Sequence, residues 1–540
     1  KKSGGITTSH LRFGKSSVNM PFLIDNANFV ACHNPAYIGR YDMLSALKEG
    51  GTFLLNSEYD SSVVFNHLSR QDQEQLIKKK VKFFNINALK IAEDSGLGGG
   101  RINTVMQAAF FKISGILPED EAIKLIKNSI KKSFSKKGED IVKMNWDCVD
   151  KTSEALKEVK VPSSITESYT PPKLIKDDAS VFAKNIIEPI MYLKGDEIPV
   201  SKMSFDGIIP TATTKLEKRG IAPRVPKWLM ENCIQCNQCV MACPHAVIRA
   251  KQIAPADLKN KPAGFETMAS NTKNEKNLEY RIQVYIEDCT GCGVCVDVCP
   301  GKKQMKALEF STLEKEREAG MKECADFFDK LPNNVMDGTS ESNVKGIGFK
   351  QPLFEFSGAC AGCGETPYVK LVTQLFGENM IIANATGCSS IYGGTFPTIP
   401  YCKADNGRGP SWANSLFEDN AEYGFGMRLA VDNNRNLLKI KVESLLKAGT
   451  TPELKAALES ALANWDKKDA EATANQNKIA SLLDPAYKAA SGEAKEDLRK
   501  IIELKDYFID KSVWIFGGDG WAYDIGYGGL DHVVASGKNV

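Results

Sequence analysis

The sequence predicts a multidomain α/β protein in which a small cysteine-rich α+β module lies between two larger α/β domains. Three observations predict it. Short β-rich runs alternate with helical ones near the start of the chain, which is the pattern of βα units and a parallel sheet. Two four-cysteine combs with one shared spacing occupy the middle. Two apolar runs towards the end, "MIIANATGCSS" and "VWIFGGDGWAYDIGYGG", each pass directly into a loop of small residues. A chain of 540 residues has room for about three or four domains, each with its own core.

Residues 1–170 form the first α/β region. "NFVAC", "TFLLNS" and "VKFFNI" read as strands, and "YDMLSALKEG", "INTVMQAAFFKISG" and "EDEAIKLIKNSIKKSF" as helices. Residues 171–209 open on Pro171 and Pro172 and show little periodicity, so they read as an extended connector. The cysteine combs lie in 210–335. A second α/β region follows in 336–540, interrupted over about 436–510 by an Ala-, Lys-, Glu- and Leu-rich stretch that reads as two or three antiparallel helices.

Composition excludes some partners. Lys and Arg total 69 against 67 Asp and Glu, a balance that gives no net field to attract nucleic acid or an anionic membrane. No apolar run reaches the ~20 residues of a membrane helix, and the start of the chain lacks the apolar core of a signal peptide. Fifteen cysteines, eight of them in the combs, fit reduced thiols in a cytoplasmic setting better than a secreted disulfide framework. The first residue is not Met, which suggests a piece of a longer chain.

The combs carry the sharpest chemistry. "CIQCNQCVMACP" and "CTGCGVCVDVCP" both space their cysteines by two, two and three residues and end in Cys-Pro. Three thiolates in one tight loop cap three corners of a cubane, and the fourth Cys of each run ligates the other cluster. Cys233, Cys236, Cys239 and Cys299 are thus expected to hold one 4Fe–4S cluster, and Cys289, Cys292, Cys295 and Cys243 the other. Zinc also favours Cys-x-x-Cys pairs but gives no reason for two four-cysteine runs. Gly291 and Gly293 let backbone amides approach the sulfur atoms, and the module reads as a low-potential electron relay.

A third set is looser. Cys360 and Cys363 lie in the Gly-rich "GACAGCGETPYVK", and Cys388 stands at a strand end. Three thiolates fall one short of a cubane, and a partial zinc site or plain thiols fit the spacing as well. Cys32, Cys148, Cys324 and Cys402 read as small buried hydrophobes. Glu365 is suited to cap the helix that follows it. In "GGDGWAYDIGYGG" Asp519 lies between Gly518 and Gly520 at a strand-to-loop turn, where backbone can close on a diphosphate and a carboxylate can bind Mg²⁺; taken alone, such a triplet is most often a turn.

These segments, together with "KKSGGITTSHLRFG", "ACHNPAYIGRYDML", "VKMNWDCVD", "EKRGIAPRVPKW" and "NATGCSSIYGGTFPTIPY", resemble in content and order those of pyruvate:ferredoxin (or flavodoxin) oxidoreductases along nearly the whole chain. The resemblance implies a CoA-binding α/β domain in 1–170, a ferredoxin-like domain with two 4Fe–4S clusters in 210–335, and a thiamine-diphosphate domain in 336–540. It matches Lys2, Asn103 and Asn145 to CoA contacts, and Cys360, Cys363 and Cys388 to ligands of a third cluster whose fourth lies beyond Val540. Glu365, Cys388, Gly518, Asp519, Gly520 and Trp521 match thiamine-diphosphate contacts, with Asp519 on Mg²⁺. The implied activity is oxidative decarboxylation of pyruvate with CoA, electrons passing through three clusters to ferredoxin or flavodoxin in a homodimer; residues 1–540 alone are expected to be inactive. Two rivals remain open. One is a related enzyme acting on another 2-oxoacid or passing electrons to NADP, and the other is a non-catalytic electron carrier.

Overall fold

The structure is a computed structural model and describes residues 5–540 except 99, 167–169, 171–174, 274–275 and 396. Lys2, matched above to CoA, lies outside the described residues. The chain divides into two compact units. One comprises Gly4–Ile198 with Arg219–Ile221, and the other contains Pro199–Lys218 and Ala222–Val540.

In the first unit β1 (Ala27–Cys32), β2 (Leu47–Asn56) and β3 (Lys82–Ile86) are parallel, and β4 (Lys157–Val159) pairs antiparallel with β3. Successive β2 residues face opposite sides: Phe53 and Leu55 join Phe83 and Leu76 in one apolar core, while Leu54 joins Ile91, Val105 and Cys148 in another. A parallel sheet buried on both faces requires this near-continuous apolar run. Helices Asn103–Ser114 and Glu119–Phe134 form where the sequence predicts them. The second begins with Glu119, Asp120 and Glu121 and ends with Lys131 and Lys132, charges that complement the helix dipole.

Tyr41–Gly50 departs from expectation: Tyr41–Ala46 forms turns and Leu47–Gly50 is already the start of β2, with no helix. Lys79 explains the difference. Its Nζ donates to the carbonyls of Leu44, Ser45 and Leu47 at 2.6, 2.8 and 2.7 Å, stabilising a non-helical path that periodicity cannot reveal. Within 171–209, read as extended, the pieces Ala183–Ile187 and Glu188–Met191 are helical and bury Ala183, Ile186, Ile187 and Met191.

The second unit opens with the cysteine module. β5 (Arg224–Trp228) precedes the first comb and β6 (Ile248–Ile253) follows it. The two-residue β7 (Met268–Ala269) comes next, then β8 (Glu279–Val284) before the second comb and β9 (Leu308–Thr312) after it. β5 pairs with β9, and β6 with β8, both antiparallel. Each comb is thus hung between one strand of either ribbon, an approximate twofold that mirrors the repeat in sequence.

Beyond it, β10 (Met380–Asn384), β11 (Ser411–Asn414) and β12 (Ser512–Phe516) form a parallel sheet in the order β11-β10-β12. The insertion contains four helices, Asn420–Ala448, Pro452–Ala463, Ala470–Ala489 and Gly492–Leu504, rather than two or three. Leu438, Leu454, Ile479 and Leu498 form their common core.

Candidate metal centres

Each comb folds as a loop that turns back through left-handed backbone. In the second comb Gly291 and Gly293 have φ of 68° and 84°; at the same positions of the first, Gln235 and Asn237 have φ of 57° and 60°. Non-glycine residues pay for that conformation, and here side-chain hydrogen bonds offset the cost. Gln235 donates to Ala269 O (2.8 Å) and accepts from Asn271 N (2.8 Å). Asn237 accepts from the Tyr280 hydroxyl (2.7 Å) and donates to Lys345 O (2.7 Å). The turned loops aim amides at sulfur: Gln235 N donates to Cys233 Sγ and Gly291 N to Cys289 Sγ, both at 3.4 Å.

Two thiol-lined cavities result. Cys233, Cys236, Cys239 and Cys299 line the first together with Trp228, Ile282 and Leu308. Cys243, Cys289, Cys292 and Cys295 line the second with Pro226, Val247 and Ile248. Each cavity therefore draws three cysteines from one comb and one from the other. Among the described residues no three Cys, His, Asp or Glu side chains converge tightly enough to hold a single metal ion. Four thiols around one cavity suit the corners of a cluster.

Burial pushes the Cys239 thiol up, with Cys233, Cys236 and Cys299 adding to the effect, and raises Cys289 to about 12 despite the Gly291 amide. Cys295 is raised by burial, then by Cys243, Cys289 and Cys239. Crowded thiolates in an apolar wall need a cationic core to neutralise them. Thr290 Oγ1, buried in the wall of the second cavity, has no partner among the described residues and can donate to a group held there. On these grounds the residues present fit the clusters.

The third set lies on the α/β sheet. Cys360 and Cys363 precede helix Thr366–Phe376, and Cys388 is the first residue of helix Cys388–Gly394, directly after β10. Cys360 and Cys388 are exposed. Tyr392, one turn beyond Cys388 and on its side of the helix, is raised by burial and then by the carboxylate of Glu365, with Cys363 also acting on it. Cys363 and Cys388 thus both lie near Tyr392. Glu365 occupies the N-cap position but makes no side-chain capping bond, so the cap reading is corrected; its carboxylate also acts on buried Tyr401. The Tyr401 phenol oxygen has no hydrogen-bond partner among the described residues.

Asp519 follows β12, whose last residue Phe516 pairs with Asn384 of β10. The loops bearing Cys388 and Asp519 therefore leave the same carboxyl edge from adjacent parallel strands, where open α/β sheets bind ligands. Asp519 is exposed, and a Cβ built on Gly518 would meet nothing within 4 Å, leaving room for an incoming group. Gly517 is tight instead: its Cβ would lie 2.3 Å from the ring of buried Trp521. An exposed carboxylate beside an unobstructed glycine is chemistry that suits a hard cation and a diphosphate. Gly520 opens the helical turn Gly520–Ile525.

Cys32, Cys148, Cys324 and Cys402 are buried, as expected. In the first unit, exposed Asn103 opens helix Asn103–Ser114. Buried Asn145 accepts from Thr104 Oγ1 (2.9 Å) and donates to Ile141 O (2.8 Å), joining two helices.

One residue escaped sequence reading. Lys370, fully buried on helix Thr366–Phe376, donates from Nζ to the carbonyls of Val240 (2.5 Å), Met241 (2.9 Å) and Cys243 (3.0 Å). Burial lowers its pKa to about 8, opposed by Cys243 and Cys239. A lysine in an amphipathic helix reads as solvated, and only the partner carbonyls identify it.

The module with its two four-thiol cavities defines an iron–sulfur protein: residues 232–302 match the family model described as a 4Fe-4S double cluster binding domain. Residues 1–155 match the model described as pyruvate ferredoxin/flavodoxin oxidoreductase, and 169–222 a domain of unknown function. The whole chain is 51% identical to the pyruvate:ferredoxin oxidoreductase of Moorella thermoacetica and 44% identical to the pyruvate-flavodoxin oxidoreductase of a Nostoc species. The chain belongs to the pyruvate:ferredoxin/flavodoxin oxidoreductase family. It spans 46% of the length of each of these two relatives.

Proposed function

We propose that this chain supplies the electron relay, the CoA-side domain and part of the cofactor site of an enzyme that oxidatively decarboxylates pyruvate with CoA and reduces ferredoxin or flavodoxin. The crossed pair of four-cysteine cavities is the observation that carries the reading, because a two-cluster relay has no use in a hydrolase or a binding module. Cys233, Cys236, Cys239 and Cys299 hold one 4Fe–4S cluster and Cys289, Cys292, Cys295 and Cys243 the second. Cys360, Cys363 and Cys388 contribute to a third. A Cβ on Gly362, between Cys360 and Cys363, would meet Cys292 at 3.8 Å and Val294 at 3.9 Å, so the third set adjoins the second cavity. Cys239 acts on Cys295, so the second cavity adjoins the first. Ile234 and Met305, beside the first, are exposed and offer an apolar landing for the acceptor protein. The relay order runs from the third set through the Cys289 side to the Cys233 side.

Asp519 holds Mg²⁺, and the glycine-flanked turn from Gly518 to Trp521, with Glu365 and the backbone at Cys388, holds thiamine diphosphate. That cofactor, when bound, supplies the electron sink for loss of CO₂. Asn103 contacts CoA, and Asn145 positions its helix through Thr104. The test is turnover by the native protein prepared without oxygen. Reduction of ferredoxin should require pyruvate, CoA and thiamine diphosphate together; cluster reduction by a chemical donor with no thiamine-dependent turnover would leave only an electron carrier.

A further inference from the structure

We propose that Lys370 is a fixed internal cation that sets the reduction potential of the comb clusters, chiefly that of the Cys243 side, and so tunes the relay from within the neighbouring domain. The geometry defines its charge state. Three carbonyl oxygens surround Nζ; an ammonium offers three donors, whereas a neutral amine would point a lone pair at a carbonyl. Those carbonyls belong to Val240, Met241 and Cys243, the short stretch between Cys239, which lines one cavity, and Cys243, which lines the other. The cation therefore sits between both sites, out of water, where a charge is screened less than at the surface. Taking up one electron adds one negative charge to a cluster already carrying thiolates; a buried cation favours that reduced state and raises the potential, a lever set by net charge and burial. Lys370 also lies on the helix that follows Cys363 and Glu365, so the charge is delivered by the element that carries the third cysteine set.

The inference rests on the cluster assignment above, and the experiment separates the two. The native protein and its Lys370→Met, Lys370→Gln and Lys370→Arg variants are titrated with a chemical reductant through mediators, the reduced clusters being read by electron paramagnetic resonance. Met and Gln, one atom shorter and without the charge, should move the midpoint of a comb cluster to more negative potential. At the wild-type midpoint the reduced-to-oxidised ratio should fall by about tenfold or more, equivalent to about 59 mV for a one-electron couple. Arg should stay close to wild type. A lysine that only caps carbonyls would lower thermal stability in the neutral variants and leave the potentials of their clusters unmoved, which would overturn the proposal. Failure of both neutral variants to hold clusters while Arg does so would assign Lys370 to assembly and overturn it equally. Absence of comb-cluster signals in the wild type would instead refute the cluster assignment.

Discussion

Replacing Gly291 with Ala tests the argument that the second comb is shaped by backbone sterics, and Gly293→Ala provides the internal control. Both residues are left-handed, with φ of 68° and 84°, so each substitution incurs about 1–2 kcal/mol of conformational strain. Their surroundings differ. A Cβ at Gly291 would lie 3.0 Å from the carbonyl oxygen of Arg224 and 3.2 Å from Cβ of Ala222. Arg224 begins β5 and is held in register opposite Thr312, so relief requires moving a paired strand, an overpacking cost of about 1–3 kcal/mol more. A Cβ at Gly293 would meet Phe310 at 3.4 Å, ordinary contact. The module should therefore lose about 2–5 kcal/mol in Gly291→Ala and about 1–2 in Gly293→Ala. Anaerobic urea titrations followed by the visible absorbance of bound clusters should show a markedly lower midpoint for the first variant and a small shift for the second. Equal midpoints, or a larger loss in Gly293→Ala, would refute the steric reasoning.

Cys243→Ser should disturb the cluster bound by Cys289, Cys292 and Cys295 and spare the one bound by its own comb; resonance spectra showing the reverse would break the crossed assignment. Asp519→Ala in the native protein should release thiamine diphosphate while iron content is unchanged, as measured by cofactor analysis after gel filtration. Tyr280→Phe removes the donor to buried Asn237 Oδ1 and should cost the module about 1–3 kcal/mol, read from the same urea titration. Asp510, although burial opposes its ionisation, is held below the ordinary value of 3.8 by Lys468 and Arg428. A depressed carboxylate stabilises the fold above its unfolded pKa and loses that contribution as pH falls through the folded one. Acidification below 3.8 should thus lower the thermal midpoint of the wild type more steeply than that of Asp510→Asn.

The parts of this molecule that were legible in the sequence are those set by local repetition. The combs announced which four cysteines line each cavity because the repeated spacing crosses one cysteine between the two, and the β-rich runs announced a sheet because both of its faces are buried. Helix Glu119–Phe134 was legible through its apolar period and end charges. Illegible were features decided by distant partners. Tyr41–Gly50 has a helix-like pattern but is held as turns and the start of a strand by Lys79, a residue far along the chain. Glu365 has the composition of a cap, yet its carboxylate acts on Tyr392 and Tyr401. The left-handed Gln235 and Asn237 carry no glycine signal; only alignment of the two combs, which puts Gly291 and Gly293 at the same places, could have exposed them.

That pairing of glycines with Gln235 and Asn237 bears on how the relay is built. Both combs need the same two left-handed turns to aim amides at sulfur, but they meet the need differently. The second comb uses residues without side chains, and one of them, Gly291, lies against β5 with no space for a methyl group. The first comb uses side chains that reach out to Ala269, Asn271, Tyr280 and Lys345. Its loop is therefore fastened to segments outside the comb, including the stretch leading to the C-terminal sheet. Lys370 makes the converse link, from the C-terminal sheet's own helix back to the carbonyls between the two cavities. Cross-ties in both directions hold the cysteine sets at fixed separation, and fixed separation is the condition for electrons to cross from one site to the next without rearrangement of the protein.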